Sequence, residues 1–285
     1  MCLISFLPMA FTIYISLTDW NAQHFLSFSF IGLKNYLGIL SPSDPLAPVV
    51  IPTLIWTIVF AAVTTAVNYL VGLLLAVLVT NRNMKEAGLY RSLLIIPWAV
   101  PSLISILAWQ GLLNQQYGQI DALLHFLGLP AIPWLLTPFW ARFSILMVNL
   151  WLSFPYFMTV CVGALQSIPQ EQYDAAAIDG AGWSQTFVRI TFPNVWRISL
   201  PLLIPSFAAS FNNFNLIYLL TGGSPPRPTT PFIGYTDILA SASYKMALTF
   251  NRYDLSATIS VILFLIVGAV SLFNMRFTNA FKESD

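Results

Sequence analysis

Long apolar runs alternate with shorter polar segments along the whole chain. A helix needs about 20 apolar residues to cross the hydrocarbon core of a bilayer, and most of these runs reach or approach that length. We therefore predict about six membrane-spanning helices, with both ends of the chain on the cytoplasmic side. The predicted spans are residues 3–17, 49–80, 93–113, 143–165, 198–220 and 255–273.

The polar segments between these helices indicate their orientation. The loop at residues 81–91 carries Arg82, Lys85 and Arg91 against the single acid Glu86, so the positive-inside rule places this loop in the cytoplasm. The segment at 114–141 has apolar residues at helical spacing, which predicts a short amphipathic helix on the outer surface. The first apolar run lacks the charged flank of a signal peptide, and we expect a further N-terminal piece before it.

The composition supports an all-α polytopic membrane protein. Apolar residues make up 57% of the 285 positions and charged residues only 8%, with a mean hydropathy of +0.74. A net charge of +1 without a basic run argues against nucleic-acid binding. Cys2 and Cys161 lie in apolar runs, and His24 and His125 are isolated, so neither a redox site nor a metal site is indicated.

The longest polar interruption lies at residues 166–193. Ser167 and Gln170 have the spacing of a capping box, and Pro169 stands where the first turn of a helix tolerates proline, so a short helix should begin there. Gly180 and Gly182 predict a turn after this helix.

A second short helix should follow the turn. Trp183, Phe187 and Ile190 are spaced to share one face of it, and Pro193 is expected to end it.

This stretch resembles the "EAA" loop of ABC-importer permeases. Asp174 replaces the glutamate that is usual in that family, which keeps the charge and shortens its reach. The resemblance implies an all-α ABC type I importer permease fold, in which this helix pair docks into a cleft of a cytoplasmic ATPase. The positions in register with the family pattern are Asp174, Ala175, Ala176, Asp179, Gly180, Ala181, Phe187, Ile190 and Pro193.

The predicted spans contain neutral hydrogen-bonding groups and essentially no charges away from their ends. The chain also lacks a G-x-x-x-x-G-K-[S/T] phosphate loop, so we expect transport energy to come from a separate ATPase. Two polar helix faces could together line a cavity for a neutral polyol, or could serve only as hydrogen bonds between helices; the residue pattern leaves both open. The faces comprise Asn149, Ser153 and Tyr156 on the fourth span and Ser206, Ser210 and Asn213 on the fifth.

A second resemblance, at residues 94–106, 149–156, 210–214, 220–223 and 234–237, is to the permease subunits of maltose/maltodextrin importers. It extends roughly over residues 30–280. Ser153 replaces a glycine of that family, Ala209 a phenylalanine and Ser210 an asparagine, which leaves the particular sugar open. The implied sugar-binding positions are Asn149, Leu152, Ser153, Tyr156, Ser206, Ala209, Ser210 and Asn213.

The resemblance implies a membrane subunit that moves a di- or oligosaccharide by alternating access and is not itself an enzyme. Residues 1–80 would form two helices with an external loop, and residues 81–285 the core permease domain. The implied partners are a second, MalG-like permease subunit, a cytoplasmic ABC ATPase dimer that uses the ATP and magnesium, an external solute-binding protein and the lipid bilayer. No cofactor is expected on this chain. The expected location is the cytoplasmic membrane of a bacterium or archaeon. The alternatives are an ABC permease for another solute such as glycerol phosphate, and an ion-coupled secondary transporter.

Overall fold

The structure is a computed structural model that describes residues 2–41, 47–81, 84–228 and 233–277. Within these ranges the chain is helical, with one isolated antiparallel bridge between Thr18 and Phe30. The helices are α1 Cys2–Ser16, α2 Lys34–Leu40, α3 Ala47–Val79, α4 Ala87–Ala99, α5 Ser102–Leu112, α6 Gln119–Phe126, α7 Pro138–Gln166, α8 Gln170–Ile178, α9 Trp183–Thr186, α10 Phe192–Ser210, α11 Phe214–Leu220, α12 Leu239–Leu248 and α13 Tyr253–Phe277.

Three helices of the described residues, α3, α7 and α13, are long and apolar enough to cross a membrane. A fourth span results if α4 and α5, which are bent by 90° at their junction, are counted as one. The predicted all-α polytopic fold is therefore confirmed. The predicted amphipathic helix at 114–141 corresponds to α6. Arg82, one of the expected cytoplasmic cations, lies outside the described residues.

The predicted third span, at residues 93–113, is not one helix but is broken into α4 and α5 at a bend of 90°. Pro97 lies inside α4, whereas Pro101 lies beyond its end. α4 ends at Ala99, and Val100, the C-cap residue between Ala99 and Pro101, has an extended backbone with φ −85° and ψ 130°. A residue before proline is sterically pushed out of the helical region, so Pro101 accounts for the break between α4 and α5.

The predicted fifth span is not one continuous helix, and this part of the prediction is wrong. α10 ends at Ser210 and α11 begins only at Phe214. Ser206 and Ser210 still share one face of α10, but Asn213 lies in the break, with φ −76° and ψ 54°. Two consecutive asparagines stand there, and their short amide side chains compete with the backbone for hydrogen bonds, which disfavours a helix interior.

The predicted helix–glycine–helix unit at 166–193 is present, with Gly180 at φ +74° in its turn. Its predicted capping box does not form. The Ser167 hydroxyl donates to the carbonyl of Ala164, because Ser167 closes the end of α7, and Pro169 is the N-cap of α8 without a side-chain cap.

Pro193 does not end the second arm of this unit, contrary to the prediction. A single π turn, Phe187–Thr191, joins α9 directly to α10, and Pro193 lies in the first turn of α10. The amide of Phe192 donates five residues back to the carbonyl of Phe187. Proline lacks the N–H that would continue the backbone hydrogen bonding, and the π turn directly before it already departs from the regular α pattern, so the helix runs on through Pro193.

The core of the bundle is the pairing of α3 with α7. A Cβ added at Gly72 would lie 2.6 Å from the Cβ of Phe157, so only glycine allows the two helices this close approach. Both helices contribute buried residues to an outer-half cluster around Phe60 and Ile145, and to an inner-half cluster around Tyr69 and Met158 that also includes α10. The predicted division of the chain into two domains at residue 80 stays a prediction. α3, which precedes residue 80, packs against helices that follow it, including α7 and α10.

Candidate functional site

The α7 part of the candidate sugar site includes both a buried and a partly exposed section. Asn149 is only 4% exposed, and its Oδ1 accepts a hydrogen bond of 2.9 Å from Asn68 on α3. Leu152, Ser153 and Tyr156 are partly exposed. The ring centroid of Tyr156 lies 6.1 Å from that of Trp98 on α4. Asn149 therefore joins two helices, whereas the next two turns of α7 leave a polar and aromatic surface accessible.

The α10 part consists of Ser206, Ala209 and Ser210. The two hydroxyls donate to carbonyls one turn earlier, Ser206 to Leu202 at 2.8 Å and Ser210 to Ser206 at 3.0 Å. The Thr64 hydroxyl approaches the Ser210 hydroxyl at 3.5 Å. A hydroxyl whose proton is engaged in this way can still accept hydrogen bonds. Ala209 is exposed, which leaves space where the related proteins carry phenylalanine.

Asn213 differs from the other candidates because it lies in the break between α10 and α11. It occupies the N-cap position of α11, and its backbone amide donates to the Ser210 carbonyl, but its side chain makes no hydrogen bond within the described residues. The side chain is half-buried. An amide with unused donors and an unused acceptor is the kind of group that can bind sugar hydroxyls.

Two cavities of the described residues are separate from the eight candidate residues. One cavity, of about 700 Å³, lies between α3, α10 and α13, and a second, of about 1070 Å³, lies at the cytoplasmic ends of α3 and α7. Neither is lined by any of the eight residues. The partly exposed residues of α7, α10 and the helix break instead form an open surface, and their assignment to a sugar stays a prediction.

The helix pair α8–α9, which we call the coupling pair, presents an exposed surface with several polar residues. Asp174, Ala175 and Asp179 are exposed, and Ala176 and Ala181 are half-buried. The side-chain amide of Gln170 donates to Asp174 at 2.9 Å.

Two contacts fasten the coupling pair to the membrane helices. The Tyr173 and Thr191 hydroxyls lie 3.2 Å apart, which joins α8 to the π turn. Asn194 on α10 donates to the side-chain oxygen of Gln172 at 3.4 Å. Phe187 and Ile190 pack into the inner-half cluster. These contacts join the coupling pair to α10 as one unit.

Sequence reasoning missed part of the exposed coupling surface. Ile178 is 86% exposed and Val188 is exposed too, although both are large and apolar. Trp183, which was expected on a shared face with Phe187, is 74% exposed and stacks on the Phe187 ring with centroids 5.5 Å apart. The available signal was an apolar residue standing alone within a polar segment. Exposed apolar residues rimmed by polar ones are typical of protein-docking surfaces.

A second missed feature is a charged cluster beyond the outer end of α11. Asp237 is fully buried, accepts a hydrogen bond from the Gly234 amide and forms an ion pair of 2.7 Å with Lys245. Gly223, at φ +84°, lies directly against this pair, and a Cβ there would collide with both charged groups. Arg227 is 8% exposed and donates to the Gly234 carbonyl. Burial lowers the pKa of the Arg227 guanidinium, opposed by Tyr235 and Asp237.

This outer cluster is anchored on the membrane helices. Arg142 on α7 donates to the carbonyl of Tyr235 at 3.1 Å, and its guanidinium lies 4.3 Å from the ring centroid of Trp56 on α3. The Trp56 indole donates to the carbonyl of Thr236 at 3.2 Å. The segment after α11 is therefore held in one place above the bundle.

The chain belongs to the family of binding-protein-dependent transport system inner membrane components, whose pattern matches residues 68–280. Within that family it is similar to the maltose/maltodextrin transport system permease protein MalF. The identity to MalF of Vibrio parahaemolyticus is 44% over 214 residues, which are 74% of this chain and 41% of that protein. The identity to MalF of Klebsiella aerogenes is 45% over 210 residues, which are 72% of this chain and 41% of that protein. The chain thus spans about 41% of the length of these curated relatives.

Solved structures show the same fold. A bacterial ABC transporter involved in the import of the acidic polysaccharide alginate matches 100% of this chain and 92% of its own chain, with a TM-score of 0.75 and 19% identity. The alginate transporter in complex with an alginate pentasaccharide-bound periplasmic protein matches 99% and 90%, with a TM-score of 0.75 and 18% identity. The predicted ABC-importer permease fold and the predicted family are therefore confirmed, and the protein is a multi-pass membrane protein.

Proposed function

We propose that this chain is a membrane-spanning permease subunit of an ATP-driven importer for a neutral di- or oligosaccharide, resembling the maltose/maltodextrin type. The sugar is delivered by an external binding protein and crosses by alternating access. One observation carries the proposal: the coupling pair continues through the π turn into α10, the helix that bears Ser206 and Ser210. A movement imposed at the cytoplasmic surface therefore reaches the candidate sugar surface through one continuous element.

The chemistry of the candidate surface favours an uncharged, hydroxyl-rich solute. The Asn213 amide and the two serine hydroxyls can exchange hydrogen bonds with sugar hydroxyls, and the Tyr156 ring can stack on the apolar face of a sugar. The 44–45% identity to MalF over about three quarters of the chain supports the same class of solute. Sugar contacts would be made by Asn149, Leu152, Ser153, Tyr156, Ser206, Ala209, Ser210 and Asn213.

The proposed partners follow from the surfaces that this chain leaves open. A second permease subunit, of the MalG-like type, would face the partly exposed residues of α7 and α10 and close the sugar cavity between the two chains. An ABC ATPase dimer would receive the coupling pair and bind the ATP and magnesium, so that this chain carries no cofactor and is not an enzyme. The external binding protein would dock on the outer segments. The location would be the cytoplasmic membrane of a bacterium or archaeon.

In the proposed cycle, the ATPase dimer closes on ATP and draws the coupling pair of this chain towards the corresponding helix pair of the second permease subunit. Because the coupling pair and α10 are fastened by the Tyr173–Thr191 and Gln172–Asn194 contacts, α10 moves with the pair. The cavity then opens outward and accepts sugar from the binding protein. Hydrolysis releases the ATPase dimer and returns the cavity to the inward-facing state.

Uptake into sealed vesicles that contain the assembled complex tests the energy source. We expect radiolabelled disaccharide uptake to require ATP and the binding protein, and to continue at an unchanged rate after an ionophore collapses the proton and sodium gradients. Loss of uptake with the ionophore at constant ATP would show a secondary transporter instead. A complex with a non-hydrolysing ATPase subunit is the matched control for leak.

A further inference from the structure

The cavity of about 700 Å³ between α3, α10 and α13, which we call the inner groove, is lined almost wholly by apolar side chains and is open to the surroundings. Ala62 and Ala66 form its α3 wall, Trp196 and Phe207 part of its α10 wall, and Ala269 and Phe273 its α13 wall. It shares no residue with the candidate sugar surface or with the coupling pair.

The inner groove lies in the cytoplasmic half of the membrane. On α13 its lining residues fall between Ala269 and Phe273, within the last third of a helix that runs inward to Phe277. On α10 they run from Phe192 to Phe207, about 22 Å at 1.5 Å per residue, which is comparable with one leaflet including its headgroup region, half of a total thickness of about 40–45 Å. The groove therefore follows the direction of a lipid chain in the inner leaflet.

Positive charge stands at the cytoplasmic end of the groove. Arg276 lies three residues beyond Phe273, so the two side chains are neighbours on one face of α13. Arg197 lies on α10 between the lining residues Trp196 and Leu200, at the flank of the groove, and both arginines are exposed. Long cationic side chains at a helix end extend to the headgroup level, where they attract anionic lipids.

We propose that the inner groove binds one anionic phospholipid of the inner leaflet, with an acyl chain between α3, α10 and α13 and the headgroup phosphate at Arg276, assisted by Arg197. The apolar lining of the groove matches an acyl chain, and the exposed arginine at its cytoplasmic end matches an anionic headgroup.

This site would place a lipid against the moving part of the protein. Phe192 and Trp196 line the groove directly after the π turn that connects the coupling pair to α10. A lipid held there contacts α10 together with α3 and α13. The occupancy of the groove by anionic lipid would therefore alter how coupling-pair movement is transmitted, independently of which solute is transported.

The test measures lipid retained by the assembled complex after extraction from vesicles of equal parts phosphatidylglycerol and phosphatidylcholine, by native mass spectrometry. We expect one tightly retained phosphatidylglycerol for the wild type. Ala66→Phe, which fills the groove, should abolish its retention. Arg276→Gln should weaken it about five-fold, the equivalent of about 1 kcal/mol for one cation at the surface, and Arg276→Lys should retain it. Ala10→Phe, an equal enlargement on the exposed side of α1, is the matched control and should have no effect.

Two results would overturn the proposal. One is equal phosphatidylglycerol retention by the wild type and Ala66→Phe, with Ala62→Phe as the second groove-filling variant if the first does not assemble. The other is efficient disulfide crosslinking of Ala269→Cys to cysteines placed in a partner permease helix, which would show that a protein segment covers the groove. Retention of phosphatidylcholine as strongly as phosphatidylglycerol would contradict the assigned role of Arg276.

Discussion

Asn68 on α3 donates a hydrogen bond of 2.9 Å from its side-chain amide to the Oδ1 of Asn149 on α7. Both residues are at least nine-tenths buried, and the Oδ1 of Asn68 has no partner among the described residues. The contact joins the two longest helices of the bundle close to the middle of each. A residue that resembles a sugar ligand in sequence therefore also has a structural role.

The first prediction concerns this pair. Asn68→Ala and Asn149→Ala should each destabilise the bundle by about 1 kcal/mol, with a coupling of about 0.6 kcal/mol in the double-mutant cycle, because each substitution leaves a buried amide without its partner. Equilibrium unfolding in a bilayer mimetic measures both quantities. If Asn149→Ala changes sugar selectivity and Asn68→Ala does not, Asn149 contacts the sugar in addition to packing.

The second prediction concerns Asn213. Asn213→Ala should weaken sugar binding in the assembled complex by about 1 to 3 kcal/mol, or about five-fold to more than a hundred-fold, because sugar hydroxyls lose their partner in a site with little water. Helix stability should not change, since the side chain caps nothing. Asn215→Ala, on the exposed side of α11, is the matched control. Unaltered transport of every sugar by an assembled Asn213→Ala complex would refute this assignment.

The third prediction concerns the exposed position Ala209. Ala209→Phe should add a stacking surface and change the ranking of neutral disaccharides by about 0.5 to 1.5 kcal/mol between the best and the poorest substrates. Competition uptake over a panel of glucosides measures the ranking. Ala208→Phe is an unsuitable control because Ala208 is buried, so Leu202→Phe, exposed on the same helix, is preferable. An identical ranking for Ala209→Phe and wild type would contradict a sugar contact here.

The fourth prediction concerns the turn of the coupling pair. Gly180→Pro should abolish sugar-stimulated ATP hydrolysis while the complex still assembles, because proline fixes φ near −65° where Gly180 requires +74°. Gly128→Pro is a close control. Gly128 has φ +73°, and its amide, like that of Gly180, donates three residues back, but it lies in the outer segment after α6. Stimulation that is normal in Gly180→Pro, or lost equally in both variants, would show that the turn has no specific coupling role.

The fifth prediction compares two adjacent glycines of the outer cluster. Gly223→Ala should destabilise the protein by about 3 kcal/mol or more, because it combines a left-handed backbone with a collision against the buried Asp237–Lys245 pair. Gly222→Ala should cost only about 1 to 2 kcal/mol, since φ is +59° but the nearest atom to its Cβ lies 4.0 Å away. Thermal unfolding of both variants decides this. Equal losses would mean that contact with the ion pair contributes nothing.

Hydrophobic pattern predicted most of the fold because membrane helices are specified by run length alone. α3, α7 and α13 overlap the apolar runs predicted at 49–80, 143–165 and 255–273. The failures occurred where local hydrogen bonding overrides hydropathy. The run at 198–220 is apolar enough to suggest one helix, but consecutive asparagines interrupt it. We predicted that Pro193 ends the second short helix, but the π turn before it leads directly into α10, and the helix continues through the proline.

The candidate site was less predictable for a different reason. Residue spacing shows which side chains share a helix face, but it does not show which face meets another helix of the same chain. Asn149 turned out to face Asn68, and Ser210 to face Thr64. The buried ion pair of Asp237 depends on residues eight positions apart in an irregular segment, where no periodicity exists to indicate it.

The π turn at Phe187–Thr191 also makes the protein sensitive to chain length at this point. A π turn is equivalent to an α-helix that has accepted one additional residue. Removing one residue from this segment would restore regular α geometry and rotate everything on its N-terminal side by about 100° relative to α10. Ile178 and Trp183 would then face a different direction from the cytoplasm. A substitution in this segment leaves the number of residues unchanged. That number, counted between Gly180 and Pro193, sets the rotation of the coupling pair about the helix axis relative to α10.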